Sequence, residues 1–113
     1  MSVDRLLMDA LDPLGYPIGK AKYNQTADTY IVFVEYNQAP RLRAEDEELI
    51  TKHFYQVDVF SNGNYNKLVS DVKSNLKEVG FSRMFESETY DEDMKKYRRI
   101  MRFNYENKIK EEI

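Results

Sequence analysis

The segment Thr29-Tyr30-Ile31-Val32-Phe33-Val34-Glu35-Tyr36 constrains the fold more than any other part of the chain. β-branched and aromatic residues fill it almost without interruption. Such residues fit a pleated, half-buried surface and lose side-chain freedom in a helix. Both alternating sets of positions are apolar, so both faces of this strand need cover. That predicts a central strand in a sheet rather than an edge. The chain must supply neighbours for it on both sides.

Three further stretches qualify. His53 to Phe60 alternates, with Tyr55, Val57 and Val59 on one side and Phe54, Gln56, Asp58 and Phe60 on the other. Phe81 to Tyr90 and Lys96 to Tyr105 read as two more strands, joined across Asp91-Glu92-Asp93. Pro17 to Tyr23 carries a weaker strand signal. Two segments have helical spacing instead. Val3, Leu6, Leu7, Ala10, Leu11 and Leu14 form one stripe, with Ser2 as N-cap and Pro13 as stop. Tyr65, Leu68, Val69, Val72, Leu76 and Val79 form the other, with Asn64 suited to its N-cap and Gly80 to a left-handed C-terminal stop. The order α-β-β-β-α-β-β predicts an α+β fold: a mostly antiparallel sheet of four to five strands with two helices packed on one face.

Residues 37–51 show no period with a buried face. Pro40 is followed by Arg41, Arg43, Glu45, Asp46, Glu47 and Glu48. The expectation is a long, exposed, charged loop. With 113 residues, residues 1–105 are expected to make a single domain, followed by a polar, frayed tail over 106–113.

Composition removes several chemistries. There is no Cys, which excludes disulfides, thiolate metal sites and cysteine nucleophiles, and a single His, His53, excludes paired imidazole ligands. His53 is expected at a surface or sheet edge. Asp91 and Asp93 have the spacing of the first ligands of a calcium loop but lack its glycine and distal glutamate. No glycine-rich phosphate loop occurs. No catalytic residue, cofactor or metal is expected, and the chain is read as not an enzyme. Mean hydropathy is −0.72, and no apolar run reaches membrane-spanning length.

The net charge of −3 argues against general nucleic-acid binding. A local basic run nevertheless stands at Lys95, Lys96, Arg98, Arg99 and Arg102, interleaved with Tyr97, Phe103 and Tyr105. Two readings of it stay open. It grips single-stranded nucleic acid, or its charges pair internally with Glu86 and Glu88 on the preceding strand. Fifteen aromatic residues (nine Tyr and six Phe) exceed what a small core buries. Tyr36, Tyr55, Tyr90 and Tyr97 are the candidates for exposed contact positions.

Several segments together resemble a known group. They are Thr29 to Asn37, then Tyr55-Gln56-Val57-Asp58-Val59-Phe60-Ser61, then Gly63-Asn64-Tyr65 with Leu68-Val69. Leu76-Lys77-Glu78-Val79-Gly80-Phe81 follows, and finally Glu88-Thr89-Tyr90-Asp91 with Arg102-Phe103-Asn104-Tyr105. Over residues 16–105 the chain resembles the tail-terminator family, the tail-completion and head–tail joining proteins of long-tailed phages and prophages. The resemblance implies a structural role: a homohexameric ring at the head-proximal end of the virion tail that caps the tail tube. Implied partners are further copies of the chain, the major tail-tube protein and the head-completion (stopper) protein, with assembly in the bacterial host cytoplasm. DNA would pass through the ring without specific binding, and no membrane is involved. Six copies at −3 each would total about −18, which suits a conduit that repels DNA. The family brings no catalytic residue. The expected assembly interface comprises Arg41, Arg43, Glu45, Asp46, Glu47, Glu48, Asp91, Asp93, Arg98 and Arg102, with Glu45 to Glu48 facing the lumen or an adjoining ring.

Overall fold

The computed structural model describes residues 2–23, 26–45 and 47–108. Its elements are α1 (Val3–Leu11), a short 3-10 turn (Asp12–Leu14), β1 (Ile18–Lys20), β2 (Thr29–Ala44), β3 (Glu47–Ser61), α2 (Asn66–Glu78), β4 (Ser82–Asp91) and β5 (Lys96–Lys108). The strands form one sheet in the order β1-β2-β3-β5-β4. All neighbouring pairs are antiparallel except β1 with β2, which run parallel with Ile18 opposite Ile31. The α+β order read from the sequence is the order found.

Strand β3 is the middle of the sheet, hydrogen-bonded to β2 on one side and β5 on the other. On one face Tyr55, Val57 and Val59 join Ile31 and Phe33 of β2 and Met101 and Phe103 of β5. Both helices cover this face. Helix α1 contributes Val3, Leu7 and Leu11, and α2 contributes Leu68, Val69, Val72 and Leu76. Each buried aliphatic side chain here gains about 1.5–3 kcal/mol over its exposed state. Ser2 caps α1 by accepting from the Arg5 amide at 3.1 Å. Helix α2 lacks a side-chain cap on Tyr65; Asn64 instead accepts from the Asn66 amide at 3.0 Å. It stops at Gly80, whose φ of 106° lets the Phe81 amide reach back to the Leu76 carbonyl at 2.9 Å.

Residues 37–44 and 47–51 are not a loop. They are the outer halves of β2 and β3, paired rung by rung from Asn37 opposite Phe54 to Ala44 opposite Glu47. Glu45 turns the hairpin with φ 52°, a left-handed conformation suited to a tight connection. Two physical reasons hid this from the sequence. Register shifts between Glu35 and Asn37, Pro40 and Leu42, and Leu42 and Arg43 break the two-residue period. The helices also end short of this region, so neither face is selected for apolar residues.

The same extension corrects the C-terminal expectation. Glu106, Asn107 and Lys108 stay in β5, opposite Lys52, Thr51 and Ile50. Residues 109–113 of the expected tail lie outside the described residues. Among the described residues, the β2–β3 hairpin extends beyond the Ile50–Lys108 rung as an arm. The molecule is accordingly elongated, 52 × 25 × 20 Å.

Gly80 tests the helix stop. A Cβ there would lie 3.2 Å from the Tyr105 ring, on a backbone that L-residues rarely adopt, whereas a Cβ on Gly63 meets nothing within 4 Å. Gly80→Ala is expected to destabilise the fold by about 1–2 kcal/mol in urea titration, and Gly63→Ala to stay within about 0.5 kcal/mol of wild type.

Candidate assembly surfaces

Three surfaces carry side chains not consumed by the core: the arm, the uncovered face of the sheet, and a cleft beside α2. They divide the sequence-derived candidates into separate groups.

The arm holds Arg41, Arg43, Glu45, Glu47 and Glu48; Asp46 lies outside the described residues. Arg41 pairs with Glu106 at 2.9 Å, half-exposed on both sides. Arg43 sits opposite Glu48 in register, and Glu48 also accepts from the Thr51 hydroxyl. Leu42, opposite Ile50, is 44% exposed. Asp91 and Asp93 stand at the other end of the sheet, around the β4–β5 turn, because β5 pairs with β3 from Tyr97 opposite Ser61 onward. Asp91 is partly spent within that turn, accepting from the Met94 amide at 2.9 Å.

Opposite the helices, the sheet face is open. Near Ser61 it is closed by Tyr30, Val32 and Phe60. Tyr30 and Phe60 stack with ring centroids 4.9 Å apart, and Tyr23 meets Phe60 edge-on at 5.2 Å. Arg98 lies over the Phe60 ring at 5.2 Å and binds the buried Asp58 carboxylate at 2.6 Å. Burial would weaken the Arg98 charge, but the hydrogen bond and attraction to Asp58 raise its pKa above the ordinary guanidinium value. Further along, Arg102 lies over both Tyr36 and Phe85, at 5.2 and 5.4 Å, and donates to Gln56 at 3.1 Å.

The two open readings of the basic strand now separate. Arg99, on the helix-covered face, binds Glu86 at 2.5 Å and Glu88 at 3.2 Å. Arg98 binds Asp58. These two arginines therefore serve internal pairing, one partner being the expected strand β4 and the other β3. Glu86 also takes Lys73 at 3.1 Å and Arg83 at 3.2 Å, so three cations converge on one carboxylate. Burial pushes the Glu86 carboxyl up, but hydrogen bonds and charge from Lys73 and Arg99 hold it below the ordinary value of 4.5. Tyr65, buried and donating to Glu88 at 2.6 Å, has its hydroxyl pushed up to about 12.

A second polar cluster ties α1 to the sheet. Asp4 accepts from Lys20 and from the Tyr55 hydroxyl, both at 2.5 Å. Burial raises the Asp4 carboxyl, but these hydrogen bonds outweigh it and leave its pKa lowered. The Tyr55 hydroxyl is shifted upward by its burial and by the same bond. Beside them His53 Nδ1 contacts Glu35 at 2.5 Å. Two sequence expectations change here. Tyr55 is not a contact tyrosine but a core residue, 1% exposed, while Tyr36, Tyr90 and Tyr97 are 44–47% exposed. His53 is neither at the surface nor at a sheet edge: it sits in the middle strand, 9% exposed. Period-two alternation alone could have placed both on the buried face with Val57.

The cleft beside α2 was missed by sequence reasoning. It measures about 310 Å³, floored by Phe81 and Phe103 and rimmed by Lys73, Lys77 and Arg83. Its residues come from α2, the turn after it, β4 and β5, which are far apart in the sequence.

No protein-family model matches this sequence. No curated protein matches it either. Among solved structures, a chain of the virion of a native gene transfer agent particle matches with 14% identity and a TM-score of 0.48, over 92% of this chain and 85% of that one.

Two outcomes test the electrostatics. Asp58→Ala leaves the Arg98 guanidinium without its carboxylate and is expected to cost roughly 2–4 kcal/mol in denaturant unfolding. Glu86 has a lowered folded-state pKa, so its contribution is present above its unfolded value and disappears as pH falls through the folded one. The destabilisation caused by Glu86→Gln at pH 7 should therefore shrink steadily below pH 4.5, measured by urea unfolding across the acid range.

Proposed function

We propose that this chain is a structural assembly protein of a phage-like particle, acting in tail completion by capping the tail tube as a ring and joining tail to head. The arm is the observation that supports this most. A 16-residue strand and a 15-residue strand pair well past the helical cover. The arm's tip is charged, and its exposed Leu42 has no core to enter. Such an extension contributes little to the stability of one copy. It has a physical use where a neighbour meets it.

The rest of the fold agrees with that use. Edge strand β4 is exposed along most of its length and ends the sheet. The β1 edge is only three residues long and covers β2 at Ile31, Val32 and Phe33 alone, leaving the outer part of β2 as a second open edge. Two different edges and two different ends suit a heterologous contact, which closes into a ring when the rotation fits. The resemblance of residues 16–105 to tail terminators supports a ring between the tube protein on one side and the head-completion protein on the other. The nucleic-acid alternative loses its strongest feature, since Arg98 and Arg99 are already bound to Asp58, Glu86 and Glu88.

Deletion of the gene from its phage or inducible prophage tests the reading. Negative-stain microscopy should find tubes of uncontrolled length beside unattached, filled heads. Infectious particles with tails of normal length would reject it. The alternative is checked in parallel: oligonucleotide binding that weakens with salt and with neutralisation of Arg98, Arg99 and Arg102 would favour a nucleic-acid protein.

A further inference from the structure

Arg102 differs from its neighbours on β5. Arg98 and Arg99 each hold a carboxylate. Among the described residues Arg102 holds none, and its side-chain acceptor is the neutral amide of Gln56 at 3.1 Å. That amide is itself oriented: it donates to Asp58 at 3.3 Å, which leaves its oxygen for the Arg102 Nε. The guanidinium carbon lies 5.2 and 5.4 Å from the Tyr36 and Phe85 ring centroids, and both rings are nearly half exposed. Asp58 and Glu106, the carboxylates flanking Arg102 on this face, are taken by Arg98 and Arg41. A guanidinium held at Nε and against two rings keeps its terminal nitrogens for a carboxylate, which it takes in bidentate fashion. Arginine, tyrosine and phenylalanine are also the residue types enriched at protein contacts. Nucleic acid fits less well. Its bases would need the ring faces that Arg102 already lies on, and the net charge of −3 opposes a polyanion.

The chain carries free carboxylates of its own at the β4–β5 turn. Glu92 and Asp93 are exposed and make no ion pair among the described residues. Asp91 accepts from the Met94 amide and stands opposite Lys96, so only Lys95 offsets the pair at the tip. The exposed Tyr90 and Tyr97 rings meet edge-on just behind, 5.0 Å apart. The turn cannot reach Arg102 of its own chain. Both belong to one ladder, in which Lys96 pairs with Asp91 and Arg102 with Phe85. The stretch of β5 from Lys96 to Arg102 spans about 20 Å at 3.3 Å per residue. A second copy supplies the acceptor.

We propose that the acidic β4–β5 turn of one copy docks on the open sheet face of the next, its tip carboxylates, Glu92 and Asp93, on the Arg102 guanidinium between Tyr36 and Phe85. This rests on the assembly reading above and names its subunit contact. Donor and acceptor are different patches, so every copy has one of each and the contact propagates around a ring. Opposite charge sets register, and the tyrosine and phenylalanine rings supply desolvated area. The contact should weaken as salt screens the exposed carboxylates and the guanidinium.

The absence of cysteine from the chain makes the test direct. A Lys95→Cys chain, which keeps both tip acids, is mixed under mild oxidation with a mass-tagged Ser87→Cys chain, each first checked for native circular dichroism. Ser87 is exposed, two residues along β4 from Phe85. The mixed disulfide should form about tenfold faster than with Lys67→Cys, which lies on the outer side of α2 and is 90% exposed, because docking raises the effective thiol concentration. The excess should fall when Arg102→Gln is added to the Ser87→Cys chain, and in 1 M salt, roughly a 3 Å screening length. Equal rates for Ser87→Cys and Lys67→Cys overturn the proposal, as does an excess that Arg102→Gln leaves unchanged. Faster trapping by Lys77→Cys overturns it too, by moving the turn to the cleft beside α2. Binding of an oligothymidylate that is lost with Arg102→Gln assigns this face to nucleic acid instead. Since tail length is read separately, a failed cross-link with overlong tails rejects this contact and leaves the assembly role standing.

Discussion

Strand β3 has to satisfy two partners along almost its whole length. Every residue from Ile50 to Ser61 pairs with both β2 and β5. Its inner half carries Tyr55, Val57 and Val59 towards the helices, and Asp58 and Phe60 towards the open side. One register therefore fixes what both faces of the sheet present. A slip by a single residue would send the valines to the open face and Asp58 into the core, at a cost far above the stability of so small a domain. The helices, the ion pairs and the arm all take their positions from that register.

Charge then finishes what apolar burial begins. Cations outnumber their acceptors on the helix-covered margin, where Lys73, Arg83 and Arg99 converge on Glu86. Asp58 does the same service for Arg98 on the other face. These pairs lie partly out of water, so breaking one side costs more than an exposed pair contributes. Clustering cations around a single acid also leaves positive charge over at the margin of α2.

A domain of this size buries one core and leaves the remainder of a long sheet in water. The arm is the consequence. Its backbone is satisfied internally by the β2–β3 ladder, so it holds its shape without helical cover. Leu42 remains 44% exposed on it.

The apolar pattern determined the element types, their order and the central position of Thr29 to Tyr36, because burial on both faces writes itself into every residue of a strand. It also offered the pairing of the basic strand with Glu86 and Glu88 as one of two readings, and the structure pairs Arg99 with both. It did not determine residues 37–51 as strands. Where no face is buried, composition reports solvent and not backbone conformation, and the bulges near Tyr36, Arg41 and Leu49 erased the remaining period. Nor did it separate the candidate interface residues: Asp91 and Arg98 lie at the end of the sheet away from Arg41 and Arg43. The partnership of Arg98 with Asp58 forty residues away and the basic cleft beside α2 belong to the tertiary structure alone. Each depends on strand register across the sheet, a long-range quantity that local residue patterns do not encode.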